Sequence, residues 1–363
     1  MGILLIAILL CFIGANIYIF VRALQTMKTA PPVVKIIFGV IYWLLGTQLF
    51  IVIAMRHSSL PDFIPRIMFI SGTAWLVFVL YMTLALIVAD IIKNLFAPSM
   101  KYGTLWALGI TVAILTGGYI NNLNPKIETI DIKLDKPLKE PIKIVAVSDL
   151  HLGYGTGKDK LKKFVKIINA QEPDLIIIGG DLIDNSIIPL YHENMDEELR
   201  ELKAPMGIYM APGNHEYISG IDKCYTFLKC TPIKMLVDSV VKLPNNLQLV
   251  LRNDYGPGDR NKSLESIMKE TDKNLPIMIV KHQPNNLEKK DKEGADIVFC
   301  GHTHHGQIWP GNIVTDLLFK QSHGYRKWEN AHIFVSSGLS LWGPPVRIGT
   351  KSDIAVFNIS SNN

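Results

Sequence analysis

The sequence predicts a four-helix transmembrane region at the N-terminal end, followed by a layered α/β domain. Three observations point there. Charge is nearly absent from the first third, four uncharged apolar runs lie within it, and short β-branched runs alternate with helix-like segments through the rest. The 363-residue chain is 48% hydrophobic with a mean hydropathy of +0.23, which is apolar for a soluble domain. Its net charge is +5, and residues 1–120 hold seven Lys and Arg against two Asp and no Glu. The remaining residues are therefore balanced, with thirty basic and thirty acidic side chains. A balanced domain lacks the basic surface of a nucleic-acid scaffold. Plentiful apolar residues exclude intrinsic disorder, and four Cys are too few for a disulfide framework.

The uncharged runs are Gly2–Val21, Ile36–Met55, Ile67–Ala89 and Tyr102–Pro125, of 20, 20, 23 and 24 residues. Crossing a hydrocarbon core takes about 20 mainly apolar residues in a helix. Each run is long enough, although Gly117, Gly118 and two Asn shorten the last. Helices are expected at about 2–23, 34–55, 66–92 and 103–120, within an anchor covering 1–122. The first run has no basic start and no small-residue cleavage pattern, so it reads as a span and not a cleaved signal. Arg22, Lys28, Lys35, Lys93 and Lys101 lie on one side of the bilayer. Arg56 and Arg66, with Lys126 and Lys133 beyond the fourth span, lie on the other. This five-to-four balance favours the first group in the cytoplasm, with the C-terminal domain extracytoplasmic. Asp90 and Lys93 fall near a span end, and no ionisable residue lies mid-span, as a transporter would require.

Residues 123–140 read as a linker with a leading strand, 141–359 as the soluble domain, and 360–363 as a frayed tail. Strands are expected at Ile142–Val147, Leu175–Ile178, Gly207–Met210, Ile277–Val280, Ile297–Phe299, His332–Val335 and Ile354–Phe357. Continuously apolar strands imply sheets covered on both faces. Lys158–Ala170 carries Leu161, Phe164, Val165 and Ile168 at helical spacing; Asp196–Leu202 and Ser263–Glu270 are weaker helices. Gly256-Pro257-Gly258 marks a loop.

Five strands run into polar clusters: Ser148-Asp149-Leu150-His151, Gly179-Gly180-Asp181-Leu182-Ile183-Asp184, Gly213-Asn214-His215-Glu216, Lys281-His282-Gln283-Pro284 and Gly301-His302-Thr303-His304-His305. Six of the ten His lie in them. Ligands collect at the carboxyl ends of strands in α/β domains. Carboxylate, amide and imidazole donors without thiolate suit Mn²⁺, Fe²⁺ or Zn²⁺. Seven such donors exceed one tetrahedral zinc but fit two metals sharing a carboxylate, able to bind a bridging hydroxide for in-line phosphoryl displacement.

The series D-x-H, G-D-x-x-D, G-N-H-E, an isolated His and G-H-x-H resembles the calcineurin-like metallophosphoesterases over about residues 141–359. The run from Gly301 to Pro310 and the run Trp342-Gly343-Pro344-Pro345-Val346-Arg347 resemble the membrane-associated bacterial branch related to UDP-diacylglucosamine pyrophosphatases. The resemblance implies a two-sheet β-sandwich flanked by helices. It places Asp149, His151 and His304 on one metal, Asn214, His282 and His302 on a second, and Asp181 between them. His215 would stabilise the transition state and protonate the leaving group, oriented by Asp184. Ser148 departs from the Gly that many members carry there. The implied activity is hydrolysis of a phosphate ester, phosphodiester or pyrophosphate on a small-molecule or lipid-linked substrate at the membrane. Nucleic acid is not the expected partner. Two rival readings are a nucleotide or nucleic-acid phosphodiesterase and a silent metal-binding signalling protein. The intact His215 and Asp184 argue against the second.

Blander readings hold elsewhere. His57, His192, His323 and His332 read as surface or core residues, and Cys300 as packing. Cys224 and Cys230 are placed on one helix at angles that prevent pairing. Trp309 and Trp342 are expected in core packing, with the lining of a lipid-facing mouth as their other reading, and Arg347 serves equally as a phosphate contact or a structural group. His305 adjoins the ligand series where the resembled branch often has a small residue, and takes no assigned role.

Overall fold

A computed structural model describes residues 2–54, 61, 63–96, 102–254, 262–287 and 294–362. Arg56, His57, Lys101 and the Gly256-Pro257-Gly258 loop lie outside these residues. The chain divides into two compact units. One comprises Met1–Asn121 with Gly343–Ile348, and the other Asn122–Trp342 with Gly349–Asn363.

In the first unit, α1 (Gly2–Thr26), α2 (Pro32–Ala54), α3 (Phe63–Leu95) and α4 (Gly103–Asn121) are long and apolar enough to cross a membrane. Helix α3 has 33 residues and outruns the expected 66–92 at both ends. Without a hydrophobic drive between helices in lipid, small residues and buried polar contacts hold them together. Gly72 lies against the backbone of Leu49, and a Cβ there would meet the Leu49 Cα at 3.0 Å. The buried Asn16 side chain accepts from Trp75 Nε1 at 3.0 Å, and the Tyr42 hydroxyl donates to the Asn16 carbonyl at 2.9 Å. Near the ends of α1 and α3, Arg22 pairs with Asp90 at 2.7 Å. Within the same unit Arg347 is fully buried; its N–H donates to the Gly118 carbonyl at 3.0 Å, and Asn121 Nδ2 donates to the Arg347 carbonyl at 3.1 Å. Both contacts are made by the main chain of Arg347 and leave its two expected roles open.

The second unit is a sandwich of two six-stranded sheets. Its strands are β1 (Lys126–Leu134), β2 (Ile142–Val147), β3 (Leu175–Ile178), β4 (Ile208–Met210), β5 (Ile233–Met235), β6 (Ser239–Lys242), β7 (Gln248–Leu251), β8 (Ile277–Val280), β9 (Ile297–Cys300), β10 (Gly324–Trp328), β11 (Ala331–Val335) and β12 (Asp353–Ser361). The orders are β1-β12-β2-β3-β4-β5 and β10-β11-β9-β8-β7-β6. Strands β2 to β5 run parallel, with Val147 opposite Ile178 and Ile178 opposite Met210. Strands β7, β8, β9 and β11 are likewise parallel, and the antiparallel β6 and β10 form the edges of their sheet. Strand β12 continues to Ser361, two residues into the segment expected as a frayed tail.

Three apolar layers explain the continuously apolar strands. Between the sheets lie Ile144, Ile177, Leu249, Met278, Phe299, Phe334 and Phe357. Outside the first sheet, the opposite faces of β2 and β3 pack on α5 (Lys158–Asn169), α6 (Ile188–His192), α7 (Met195–Arg200) and α9 (Ile221–Leu228). Helix α5 supplies Leu161, Phe164, Val165 and Ile168, the four residues at helical spacing. Outside the second sheet, α10 (Leu264–Met268) covers Ile279, Val298 and Ile333. Two further helices lie apart from these layers: α8 (Asn214–Ser219), and α11 (Gly311–Leu318), which buries none of its residues. Helix α9 ends before Cys230, and all four cysteines are free.

Candidate metal centre

The residues that follow β2, β3, β4, β8 and β9 turn abruptly out of the sheets. Asp149, His151, Asp181, His302 and His304 all adopt left-handed backbone, with φ of 57°, 44°, 51°, 75° and 48°. Such conformations are unfavourable for side-chain-bearing residues and persist where the surroundings impose them. Here they point adjacent donors into one volume. Gly213 and Gly301 let the turns close: a Cβ on Gly213 would strike the Asp181 carboxylate, and one on Gly301 would strike Ser148 Oγ and the Asp149 carboxylate.

Two groups of donor atoms converge. In the first, His151 Nε2 and His304 Nε2 lie 3.0 Å apart, and Asp149 Oδ1 is 3.4 Å from His304 Nε2 and 3.8 Å from His151 Nε2. In the second, His282 Nε2 is 3.3 Å from His302 Nδ1, which is 3.1 Å from Asn214 Oδ1. Asp181 Oδ2 stands between them, 3.0 Å from His282 Nε2 and 3.9 Å from His151 Nε2. All seven donors fixed on from the motifs are thus brought together, and Asp149, His151, Asp181 and His282 are almost fully buried. Imidazole nitrogens facing each other and carboxylates at about 3–4 Å match the separations of ligands sharing a cation.

The electrostatics fit that demand. Burial would drive Asp181 and Asp149 up, but neighbouring imidazoles, His282 above all for Asp181, hold both below the usual carboxylate range. His282 is buried, which pulls it down, yet the Asp181 and Asp149 carboxylates raise it well above its ordinary value. The field therefore calls strongly for positive charge, which divalent cations supply. Burial and the field of His282 lower His302 to about 4, keeping it neutral as a ligand must be. His282 Nδ1 lies 2.8 Å from the Gly179 carbonyl, which fixes the ring and leaves Nε2 facing the donors.

His215 and Asp184 stand beside the first group. His215 Nδ1 is 3.3 Å from Asp184 Oδ1, and its ring meets His151 edge-on at 4.6 Å between centroids. Burial alone pulls His215 down; the Asp184 hydrogen bond and the Asp181 field outweigh it and raise the imidazole to about 9. Asp184 Oδ1 also lies 3.4 Å from His151 Nδ1, so one carboxylate positions two imidazoles.

Glu216 carries no role in the motif reading, yet it organises the site. Fully buried, its carboxylate accepts from the N–H groups of Asp181 (2.9 Å), Gly213 (2.7 Å) and Ile183 (3.0 Å). It ties the turn after β3 to the turn after β4. The signal in the sequence was its place as third residue of α8, where a Glu reaches back to the backbone before a helix. Trp309 and Trp342, expected in the core, are instead 45% and 55% exposed. Both sit in loops outside the three apolar layers, and the Trp342 ring lies 6.2 Å from His215.

Comparison with known proteins agrees with this geometry. A family described as Calcineurin-like phosphoesterase matches residues 142–306. An uncharacterized metallophosphoesterase of Helicobacter pylori J99 is 33% identical over 283 residues, 74% of each chain. One from Campylobacter jejuni is 31% identical across 97% of this chain and 96% of its own. A Danio rerio transmembrane protein with metallophosphoesterase domain is 30% identical over 69% of this chain and 61% of its own. Identity sustained through helices and sandwich alike, together with the ordered donor series, makes this chain a member of the calcineurin-like metallophosphoesterases, metal-dependent phosphoester hydrolases that work with two metal ions.

Proposed function

We propose that the chain is a membrane-anchored phosphoesterase that hydrolyses a lipid-linked phosphate ester, phosphodiester or pyrophosphate, in the manner of the branch related to UDP-diacylglucosamine pyrophosphatases. The observation that carries the lipid preference is an apolar border on the donor cluster. The Trp342 ring stands 6.2 Å from His215, and the Phe319 ring 6.3 Å from His302. Phe319 continues directly from α11, whose Ile313, Val314, Leu317 and Leu318 are 47–82% exposed. An apolar band of this kind suits an acyl or isoprenoid chain better than a nucleoside. The four long apolar helices, and the transmembrane relative, support tethering of the site to a bilayer. The basic-residue balance of the loops supports an extracytoplasmic catalytic domain.

In this reading Asp149, His151 and His304 hold one metal, Asn214, His282 and His302 the other, and Asp181 serves both. The donor types favour Mn²⁺, with Fe²⁺ or Zn²⁺ as alternatives. Two such cations supply Lewis acidity that activates water and draws charge from the phosphoryl oxygens. The chain's own residues do the rest. Asp184 orients His215 and keeps it protonated, so that His215 donates a proton to the departing oxygen. Glu216 holds the backbone of Asp181 in place.

The test is hydrolysis by the purified full chain of bis-p-nitrophenyl phosphate, p-nitrophenyl phosphate, nucleotides and lipid pyrophosphates in mixed micelles. Chelation should abolish turnover and Mn²⁺ restore it, with the lipid substrates preferred. Efficient cleavage of nucleotides with every lipid ignored would refute the lipid assignment. His215→Ala should lose roughly 10²–10⁴ of turnover while retaining both metals; unchanged turnover would remove its role.

A further inference from the structure

Outside the seven donors, the described residues contain one more His and Asp cluster, formed by His305, Asp316 and His323. We propose that it is a third metal site, binding a single Zn²⁺-like divalent cation. His305 follows the last motif histidine, Asp316 lies on α11, and His323 lies five residues beyond that helix. The three come from different turns of the chain, yet their donor atoms all lie within 4.8 Å of one another. His305 Nε2 is 3.7 Å and His323 Nδ1 is 3.9 Å from the same oxygen, Asp316 Oδ1. The two imidazoles stack face to face, 3.5 Å between centroids and 14° from parallel, so sharing one ion requires the half-exposed His323 ring to turn until the in-plane lone pairs of both rings converge.

Two imidazoles and a carboxylate make up the protein ligand set of many open zinc sites, in which water takes the fourth position. Ligands at about 2.0–2.1 Å around a tetrahedral ion stand roughly 3.3 Å apart, so each imidazole would close on the carboxylate by about half an ångström. Asp316 and His323 are half-exposed, which leaves their side chains room for that adjustment. Ser322 Oγ already links the pair: it donates to Asp316 Oδ1 and sits 3.1 Å from His323 Nδ1. Metal binding exchanges the second of these contacts for coordination. None of the three donors belongs to the main centre, so the site fills independently. It would pin the exposed apolar helix α11 to the turn that carries His304.

Zinc stoichiometry tests this. The full chain in detergent is stripped with chelator, reloaded with Zn²⁺, passed over a desalting column and measured by elemental analysis. The wild type should hold one zinc more than His323→Ala, and one more than Asp316→Asn. Asp181→Asn/His282→Ala should lose zinc from the main centre and keep the third. Equal zinc in the wild type and both single variants overturns the proposal, whatever the total. A total below two in the wild type, with the one-zinc difference intact, would count against the main centre alone. Equal melting temperatures in chelator confirm that the exposed substitutions leave the fold untouched.

Discussion

Adding one methyl group at Gly213 tests whether the close approach of two turns is what builds the centre. Gly213 has φ −104° and ψ −175°, extended backbone that alanine adopts freely, so Gly213→Ala probes space alone. The added Cβ would lie 2.7 Å from Asp181 N and 2.9 Å from Asp181 Cγ, besides striking the carboxylate. Ordinary contacts begin near 3.4 Å, so the Asp181 backbone must retreat by about 0.7 Å. Metal–ligand distances tolerate only about ±0.2 Å. Asp181 faces His282 at 3.0 Å and His151 at 3.9 Å, so this shift affects both donor groups at once. Misplacement of about 1 Å costs on the order of 10²-fold in rate, equivalent to about 2.7 kcal/mol of barrier. Overpacking adds about 1–3 kcal/mol of lost stability. The assay is kcat/KM on bis-p-nitrophenyl phosphate with Mn²⁺, alongside metal content and melting temperature. Gly117→Ala is the control, because nothing lies within 4 Å of a Cβ there. Wild-type rate and metal content in Gly213→Ala would refute the reasoning.

Three further outcomes are expected. Glu216→Ala leaves three buried N–H groups without their acceptor, at about 1–3 kcal/mol each before water enters, and should lower the melting temperature sharply with loss of bound metal. Phe299→Ala empties the inter-sheet layer beneath Gly179 and should cost about 3–5 kcal/mol by chemical denaturation of the domain. Asp184→Asn keeps an acceptor oxygen but removes the carboxylate charge that helps to raise His215 to about 9. The protonated imidazole then survives only to lower pH, so the alkaline limb of the pH–rate profile should move toward acid; an unmoved limb would separate His215 from that titration.

Legibility in the sequence followed burial. The central strands β3, β8 and β9 are buried along their whole length and β2 at every residue but Lys143, and their apolar runs stand out against polar connections. Strands β5, β6 and β10 escaped notice because each is a sheet edge. Ile233–Met235 exposes Lys234, Ser239–Lys242 is only partly covered, and Gly324–Trp328 carries Arg326 and Lys327. Edge strands bury little, so a periodicity argument has little to grip. Strand β7 is buried throughout but begins with the polar Gln248, which interrupts its apolar run. The spans were visible for a simpler reason: lipid permits almost no charge, whatever the packing.

The site shows why motif residues were readable and their supports were not. Donor types are a chemical requirement and leave fixed letters in the sequence, which is how the seven donors, His215 and Asp184 could be named. Glu216 acts through hydrogen bonds to three backbone groups that become neighbours only after β3 and β4 pair. The left-handed turns at Asp149, His151, Asp181, His302 and His304 leave even less trace, since Asp and His, though enriched among left-handed residues, occur far more often elsewhere. At about 1–2 kcal/mol per residue they are a strain that local sequence opposes. What sustains them is the rigid sheet beneath: Asp149 N–H donates to the Gly180 carbonyl at 3.0 Å, His151 N–H to the Asp181 carbonyl at 3.0 Å, and Gly301 N–H to the His282 carbonyl at 2.8 Å. These bonds join turns that follow different strands, so each strained turn is held by its neighbour. Loosening any one of them should therefore perturb the whole donor set together, and not a single ligand.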